Sequence, residues 1–430
     1  MLRLSNSSHA ASYYAATVND MTRHASLVGT LEVDVCVIGA GLTGISTGLN
    51  LAERGYCVAV LEASKVGWAA SGRNGGQVIG GYACGMDTFA RYMAAEDITR
   101  LWAMGLEALE IVKERVMKHQ IDCDLRFGYL HAANKPRDIA ALRRWRDDAQ
   151  QCFGYDKFRY IERDMMADYV QSSRYLGGLF DPDSGHLHPL NYTLGLARAA
   201  CKAGVQIFEG TCATRIRHES GMHFIETAKG LVRARFVVLA GNTWLDTLVP
   251  DLSRKIMPVS TYVIATEPLD PVRSAALMPA QAAICDSRYA LDYFRPTPDG
   301  RVLWGGKVSY STLAPANLGE AMRRDMLKTF PQLADVKVDY AWGGLVDITM
   351  NRAPHFGRIA PTIYFAQGFS GHGLNVTGLA GKLIAEAIGT QAERFDLFGK
   401  IRHRNFPGGR LLRTPVLALA MTWAKMRDLL

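Results

Sequence analysis

Apolar and polar positions fall in blocks along the chain, and one early block carries the most information. Val33-Asp34-Val35-Cys36-Val37-Ile38 is short and mostly apolar, which predicts a buried parallel strand. Gly39-Ala40-Gly41-Leu42-Thr43-Gly44 follows at once. Ile45, Leu49 and Ala52 then recur at helical spacing up to Gly55, a helix stop. Cys57 to Leu61 is a second apolar run, and Glu62 ends it. The order is strand, glycine turn, helix, strand, acid.

Later blocks extend the pattern. Leu101, Met104, Leu106, Leu109, Val112 and Val116 recur mostly at steps of three or four, so residues 85–120 are predicted helical. Residues 124–132 alternate as a strand, and 135–151 are charged and helix-compatible. Pro189 to Ala203 predicts a helix stopped by Gly204, and residues 205–208 a strand. Residues 212–218 and 222–226 predict an antiparallel pair turning at Ser220-Gly221. Phe236 to Leu239 is an apolar strand running into Ala240-Gly241-Asn242. Residues 255–350 are strand-rich, most clearly at 261–266 and 302–308. A last strand, 364–367, precedes Gly368-Phe369-Ser370-Gly371-His372-Gly373-Leu374-Asn375. A helix with Ala380, Leu383, Ile384 and Ala387 on one face follows.

Each glycine of the first turn has a physical task. Gly39 permits the tight bend, Gly41 lets backbone N–H groups approach a pyrophosphate, and Gly44 lets helix and strand pack closely. Glu62 lies 23 positions after Gly39, where a carboxylate accepts bonds from ribose hydroxyls. With strand and helix both in place, the motif predicts a bound adenine dinucleotide; the competing reading is a glycine-rich turn in an empty α/β domain. Gly67-Trp68-Ala69-Ala70-Ser71-Gly72-Arg73-Asn74-Gly75-Gly76-Gln77 is too glycine-rich for a helix or strand interior. It brings N–H groups, Ser71 and Arg73 against a second set of cofactor atoms. A nicotinamide enzyme has no need of such a loop there, whereas a flavoprotein must grip both pyrophosphate and ring.

These stretches resemble the FAD-dependent amine and D-amino acid oxidase superfamily. Ser12-Tyr13-Tyr14-Ala15-Ala16-Thr17, the first glycine motif and the 67–77 loop together resemble its γ-glutamylputrescine oxidoreductase group, from about residue 12 to the C-terminus. The resemblance implies an α/β fold: a Rossmann-like FAD domain with an inserted α+β substrate domain on a mixed or antiparallel sheet. The expected division is an arm at 1–31, cofactor pieces at 32–95, 177–250 and 351–395, and substrate pieces at 96–176 and 251–350. Residues 396–430 form a basic C-terminal segment.

The resemblance also implies the cofactor contacts. They are Gly39, Gly41, Leu42, Thr43 and Gly44, then Glu62 and Ala63. Ala70, Ser71, Gly72, Arg73, Asn74, Gly75, Gly76 and Gln77 follow. Ala213 lies at the adenine, Ala240 and Gly241 beside the first strand, and Gly344 on the segment leading back to the flavin. Gly371, His372, Gly373 and Leu374 form a further helix N-terminus, whose partial positive charge stabilises the reduced ring.

The implied chemistry is hydride transfer from the carbon beside an amine nitrogen to flavin N5, then hydrolysis of the imine to an aldehyde. Oxygen or another acceptor reoxidises the flavin. Tyr262, Trp304 and Trp342 are candidates for an aromatic wall around an amine chain; each also reads as plain core. By resemblance, Lys307 favours electron transfer to oxygen. His372 touches the flavin or braces its turn. Some members of the family it resembles tether flavin through a late Cys or a His near the second glycine run; here no cysteine follows Cys285 and no histidine lies between His24 and His119, so the resemblance implies non-covalent FAD. His186 and His188 lack a third ligand at sensible spacing, so no metal is expected.

Composition adds limits. The net charge is +8, and six Lys/Arg against one acid between Arg394 and Arg413 account for most of it. That stretch reads as a solvated basic face, or as a peripheral contact for an acidic partner or an anionic membrane. No nucleic-acid motif accompanies it. No apolar run approaches the roughly 20 residues of a membrane span. Eight scattered cysteines without a C-x-x-C suit a reducing compartment, hence the cytoplasm. Two other functions stay open: oxidation of a D-amino or N-methyl amino acid, and a flavin-binding subunit without turnover.

Overall fold

Apolar runs bounded by glycine turns fold into two sheets. The computed structural model describes residues 8–20, 22–245, 248–288, 291–309 and 317–407, with backbone alone at 307–309. A one-turn helix, α1 (Tyr13–Ala16), comes first, capped by the Ser12 hydroxyl. Then follow β1 (Gly29–Ile38), α2 (Leu42–Ala52), β2 (Val58–Leu61), β3 (Gln77–Val78), α3 (Met86–Ala90) and α4 (Ala95–Lys118). β4 (Arg126–Ala132), α5 (Pro136–Phe153), β5 (Arg159–Ile161), β6 (Gly178–His186) and α6 (Pro189–Lys202) come next. β7 (Gln206–Phe208), β8 (Arg215–Glu219), β9 (Met222–Glu226) and β10 (Gly230–Leu239) complete the first half. The second half holds α7 (Pro250–Ser253), β11 (Met257–Thr266), α8 (Pro271–Leu277), β12 (Ala283–Asp286), β13 (Tyr293–Pro296) and β14 (Val302–Ser309). It ends with α9 (Leu318–Leu327), β15 (Val338–Ile348), β16 (His355–Ala360), β17 (Ile363–Gln367), α10 (Gly373–Ile388) and α11 (Glu393–Gly399).

The first sheet runs β16-β17-β10-β1-β2-β7, with the β8–β9 hairpin hung on β10. β1 pairs in parallel with both β2 and β10, and β10 with β17. Parallel strands covered on both faces need continuous apolar runs. Val35, Val37 and Val60 share a core with α2, α6 and α10. Cys36, Ile38, Ala59 and Leu61 turn to the other side, against Ile225, Val232 and Leu252.

The second sheet runs β15-β11-β14-β13-β12-β4-β6-β3, with β5 paired to β6. Only its β12–β4 pair is parallel among the described residues. Leu130, Ile284, Phe294, Trp304 and Ile264 occupy one cross-strand row. That row packs on Met322 and Met326 of α9. The neighbouring row, His131, Cys285, Tyr293 and Gly305, faces the opposite way. A Cβ on Gly305 would stand 2.0 Å from the Tyr293 ring, so glycine lets that ring lie across the strand.

Two expected boundaries move. The expected substrate piece includes α4, yet Leu101, Met104, Ala108, Leu109 and Val112 share the core of α2 and α10. Helical periodicity reports a buried face but not the sheet it meets. The cofactor domain is expected to resume at Gly177, but β6 pairs with β3, β4 and β5 in the second sheet. The first sheet is rejoined only through α6 and β7.

The arm is pinned at the junction of the sheets. Tyr13 and Tyr14 are buried. The Tyr13 hydroxyl donates to Asp299 at 2.9 Å. Arg295 on β13, itself buried, donates to the Tyr14 hydroxyl at 3.2 Å and to the carbonyls of Gly75 and Leu187 at 3.0 Å. The basic C-terminal segment is described only to residue 407. There Lys400 pairs with Asp97 at 2.5 Å, and Arg394 pairs with Glu107 and Glu386. Arg410, Arg413 and residues 415–430 lie outside the described residues.

Candidate functional site

The first glycine turn is built around close backbone approach. Gly39 has φ +108, and a Cβ there would stand 2.7 Å from the Ala240 carbonyl oxygen. Gly41 precedes α2, and a Cβ on it would stand 2.8 Å from Ser71 Oγ. That hydroxyl accepts the Leu42 N–H at 2.9 Å. The other first-turn amides of α2 have no carbonyl in their own helix, and they carry its positive dipole end. Glu62 follows β2. Its Oε2 accepts the Ala40 N–H and its Oε1 the Ser64 N–H, each at 2.8 Å. Burial pushes its pKa up, while these amides pull it back. Both oxygens keep lone pairs for ribose hydroxyls.

The second loop is held from several sides. Asn74 Nδ2 donates to the Ala70 carbonyl at 2.9 Å, and its Oδ1 accepts the Gly76 N–H at 2.8 Å. Arg73 folds back over the Trp68 ring, 4.8 Å from its centroid, and donates to the Trp68 carbonyl. Burial lowers its pKa.

A third turn joins β17 to α10. Asp347 of β15 accepts the N–H groups of Gly368 and Phe369, and its carbonyl accepts that of Ser370 at 2.9 Å. Burial raises Asp347 to about 6, opposed by a hydrogen bond with Asn242 and by those amides. Asn242 Oδ1 is buried with no hydrogen-bond partner among the described residues. His372 caps α10 and is half-buried. Burial, then the Arg352 charge, lowers it to about 4.

These turns share one cavity of about 1900 Å³. Every cofactor position expected from the sequence lines it except Gly44, Gly72 and Gly76. Those three are packing glycines. A Cβ on Gly44 would lie 1.9 Å from Gly39 O, on Gly72 2.3 Å from Gly67 O, and on Gly76 2.3 Å from Leu187 O. The residues present fit FAD. Glu62 suits a ribose, the α2 N-terminus a pyrophosphate, and Ala213 the adenine end. The orphan acceptor on Asn242, which also lines the cavity, suits an N–H of the ring.

The substrate wall differs from expectation. Tyr262 and Trp304 face the α9 side of the second sheet, away from the cavity. Trp342 is buried behind the second loop, and its Nε1 donates to the Arg73 carbonyl. Strand alternation decides the face, and residue type alone points to the wrong one. The side chain of Lys307 lies outside the described residues; its backbone is in β14. The cavity is lined instead from the opposite face of that sheet, by Tyr129, His131, Cys285 and Tyr293. The alternation of residues 124–132 is the signal for Tyr129 and His131, but it does not tell which face meets the cofactor. His131 Nδ1 lies 3.3 Å from Cys285 Sγ. Burial, then the charge of His372, lowers His131 to about 3. Burial pushes the Cys285 thiol up to about 12. His188 caps α6 and accepts the Asn191 N–H at 3.1 Å. His186 is buried beside the Gln281 carbonyl. Among the described residues no three or more of His, Cys, Asp and Glu gather to hold a metal.

Comparison with known proteins agrees with this architecture. The DAO family of FAD dependent oxidoreductases matches residues 34–387. The chain is 41% identical over 421 residues to γ-glutamylputrescine oxidoreductase of Escherichia coli, covering 98% of each protein. It is 39% identical over 432 residues to a probable oxidoreductase, OrdL, of Haemophilus influenzae, covering 100% of this chain and 99% of that one. In structure it resembles glycine oxidase of Geobacillus kaustophilus, with a TM-score of 0.72 at 20% identity over 87% of this chain and 100% of that one. Helix-dipole turns converging on one cavity, and a family match that spans both sheets, place this chain in the DAO family of FAD-dependent oxidoreductases.

Proposed function

We propose that the chain oxidises the amine end of a γ-glutamylated polyamine or a related long amine. The observation that supports this most is its near full-length likeness to γ-glutamylputrescine oxidoreductase. Bound FAD would supply the two-electron acceptor for the hydride on the carbon beside nitrogen.

The chain's own residues would prepare the amine. His131 and His372 are both neutral at pH 7, so their imidazoles accept N–H bonds from an uncharged amine without adding positive charge. Tyr129, Trp145 and Phe158 flank the cavity and suit a chain of methylenes. Water then hydrolyses the imine to an aldehyde, and oxygen or another acceptor takes the electrons. Lys307 remains our proposal for the residue that favours oxygen. No helix among the described residues is long and apolar enough to cross a membrane. All eight cysteines are free thiols, which supports a reducing compartment such as the cytoplasm.

The test is flavin bleaching without oxygen. γ-Glutamylputrescine and other long amines should bleach the yellow protein quickly, and glycine, D-amino acids and N-methyl amino acids should not. Bleaching by amino acids alone would overturn the proposal. Repetition in air with peroxide detection separates an oxidase from a dehydrogenase.

A further inference from the structure

Among the charges lining the cavity, two stand apart. Glu62 is held by backbone amides, and so is Asp347. Asp181 takes the Tyr155 hydroxyl at 2.9 Å. Asp286 pairs with Arg288 at 2.6 Å, and Arg73 is spent on carbonyls. Arg144 and Asp148 line the same cavity, and neither has an ion-pair or hydrogen-bond partner among the described residues.

Their neighbours make the contrast sharper. Both lie on α5, four residues apart and so on one face. On the same helix Arg143 pairs with Glu162 at 2.8 Å and Arg146 with Asp147 at 2.7 Å. Arg144 and Asp148 line the cavity from its solvent-facing side, at the mouth. Trp145 follows Arg144 in sequence and is 37% exposed although it is a large apolar residue. Its ring lies 4.6 Å from that of His131, and His131 and His372 both line the same cavity. The unpaired pair, Trp145, His131 and the α10 turn therefore face one cavity.

We propose that Arg144 and Asp148 read an α-amino-acid zwitterion at the mouth, the guanidinium taking its carboxylate and the Asp148 carboxylate its ammonium. This rests on the γ-glutamyl amine reading above and extends it to the far end of the substrate. A γ-glutamyl head carries those two charges on one carbon, matching two opposite charges one helical turn apart. Eight bonds separate that carbon from the oxidised one in γ-glutamylputrescine, about 10 Å when extended. The head would thus stay at the mouth while the amine reaches the inner histidines.

The experiment compares γ-glutamylputrescine with N-acetylputrescine, which keeps the amide and amine but lacks the zwitterion. Anaerobic flavin reduction is followed in wild type, Arg144→Ala and Asp148→Asn holoenzyme. Wild type should prefer the γ-glutamyl compound. Each substitution should cut that preference roughly tenfold, through the apparent Kd rather than the limiting rate. Thermal melts check that the variants are folded. Equal use of both amines by wild type, or an unchanged preference in both variants, would overturn the zwitterion assignment while leaving amine oxidation standing. A wild type reduced by neither amine would remove the functional reading itself, and this assignment with it.

Discussion

Trp342 donates its indole N–H to the carbonyl oxygen of Arg73 at 3.0 Å, which ties the second sheet to the second glycine loop. The residue expected to touch substrate therefore shapes the cofactor's cradle. Trp342→Phe keeps an aromatic ring but orphans that carbonyl, at a cost of about 1–2 kcal/mol. FAD affinity should fall roughly tenfold, measured by titrating the apoprotein and following flavin fluorescence. Full FAD affinity with a raised substrate KM would return Trp342 to the substrate wall.

Gly44 and Gly55 separate a clash from a strained backbone. Gly55 has φ +86, and a Cβ on it would meet nothing within 4 Å, so Gly55→Ala should cost about 1 kcal/mol. A methyl on Gly44 would meet Gly39 O and must push α2 off the turn. We expect Gly44→Ala to lose at least about 3 kcal/mol and most of its bound flavin. Melting temperature and the ratio of flavin to protein absorbance report both. Equal effects at the two positions would refute the packing role.

Asp347 should make stability depend on pH. Burial raises its folded pKa to about 6, above an ordinary 3.8. The folded state thus holds this proton more tightly, so its contribution is present below about pH 4 and is lost as pH rises through 6. A shift of that size corresponds to about 3 kcal/mol. Asp347→Asn should gain on wild type across that window in melts from about pH 4.5 to about pH 8. A difference independent of pH would show that Asp347 does not titrate there.

Non-covalent flavin is the simplest expectation to check. The buried Cys285 thiol, pushed up to about 12, is protonated at neutral pH and a poor nucleophile. Acid precipitation should release yellow flavin into the supernatant. Colour that stays in the pellet would contradict it.

Much of the cofactor half is legible in the sequence because glycine positions and apolar runs carry their own reasons. β1, α2, β2 and the turn before α10 each need only local spacing. The substrate half is less legible because alternation gives two faces without naming the inner one. Residue type points to Tyr262 and Trp342, while Tyr129, His131 and Tyr293 line the cavity from the opposite face. α4 is misplaced for a similar reason: its apolar stripe is clear, but its partner helix α10 lies more than 250 residues later. Gly72 and Gly76 sit inside a cofactor loop, yet they serve contacts with Gly67 and Leu187 that no short motif reveals.

The seat of Tyr13 and Tyr14 has a bearing on how the chain assembles. Their partners Asp299 and Arg295 emerge from the ribosome some 280 residues later. These two hydrogen bonds therefore cannot form until the thirteenth strand and the turn after it exist. A fusion that restrains the amino terminus should therefore slow maturation, and through Arg295 it would also loosen the Gly75 carbonyl in the second glycine loop.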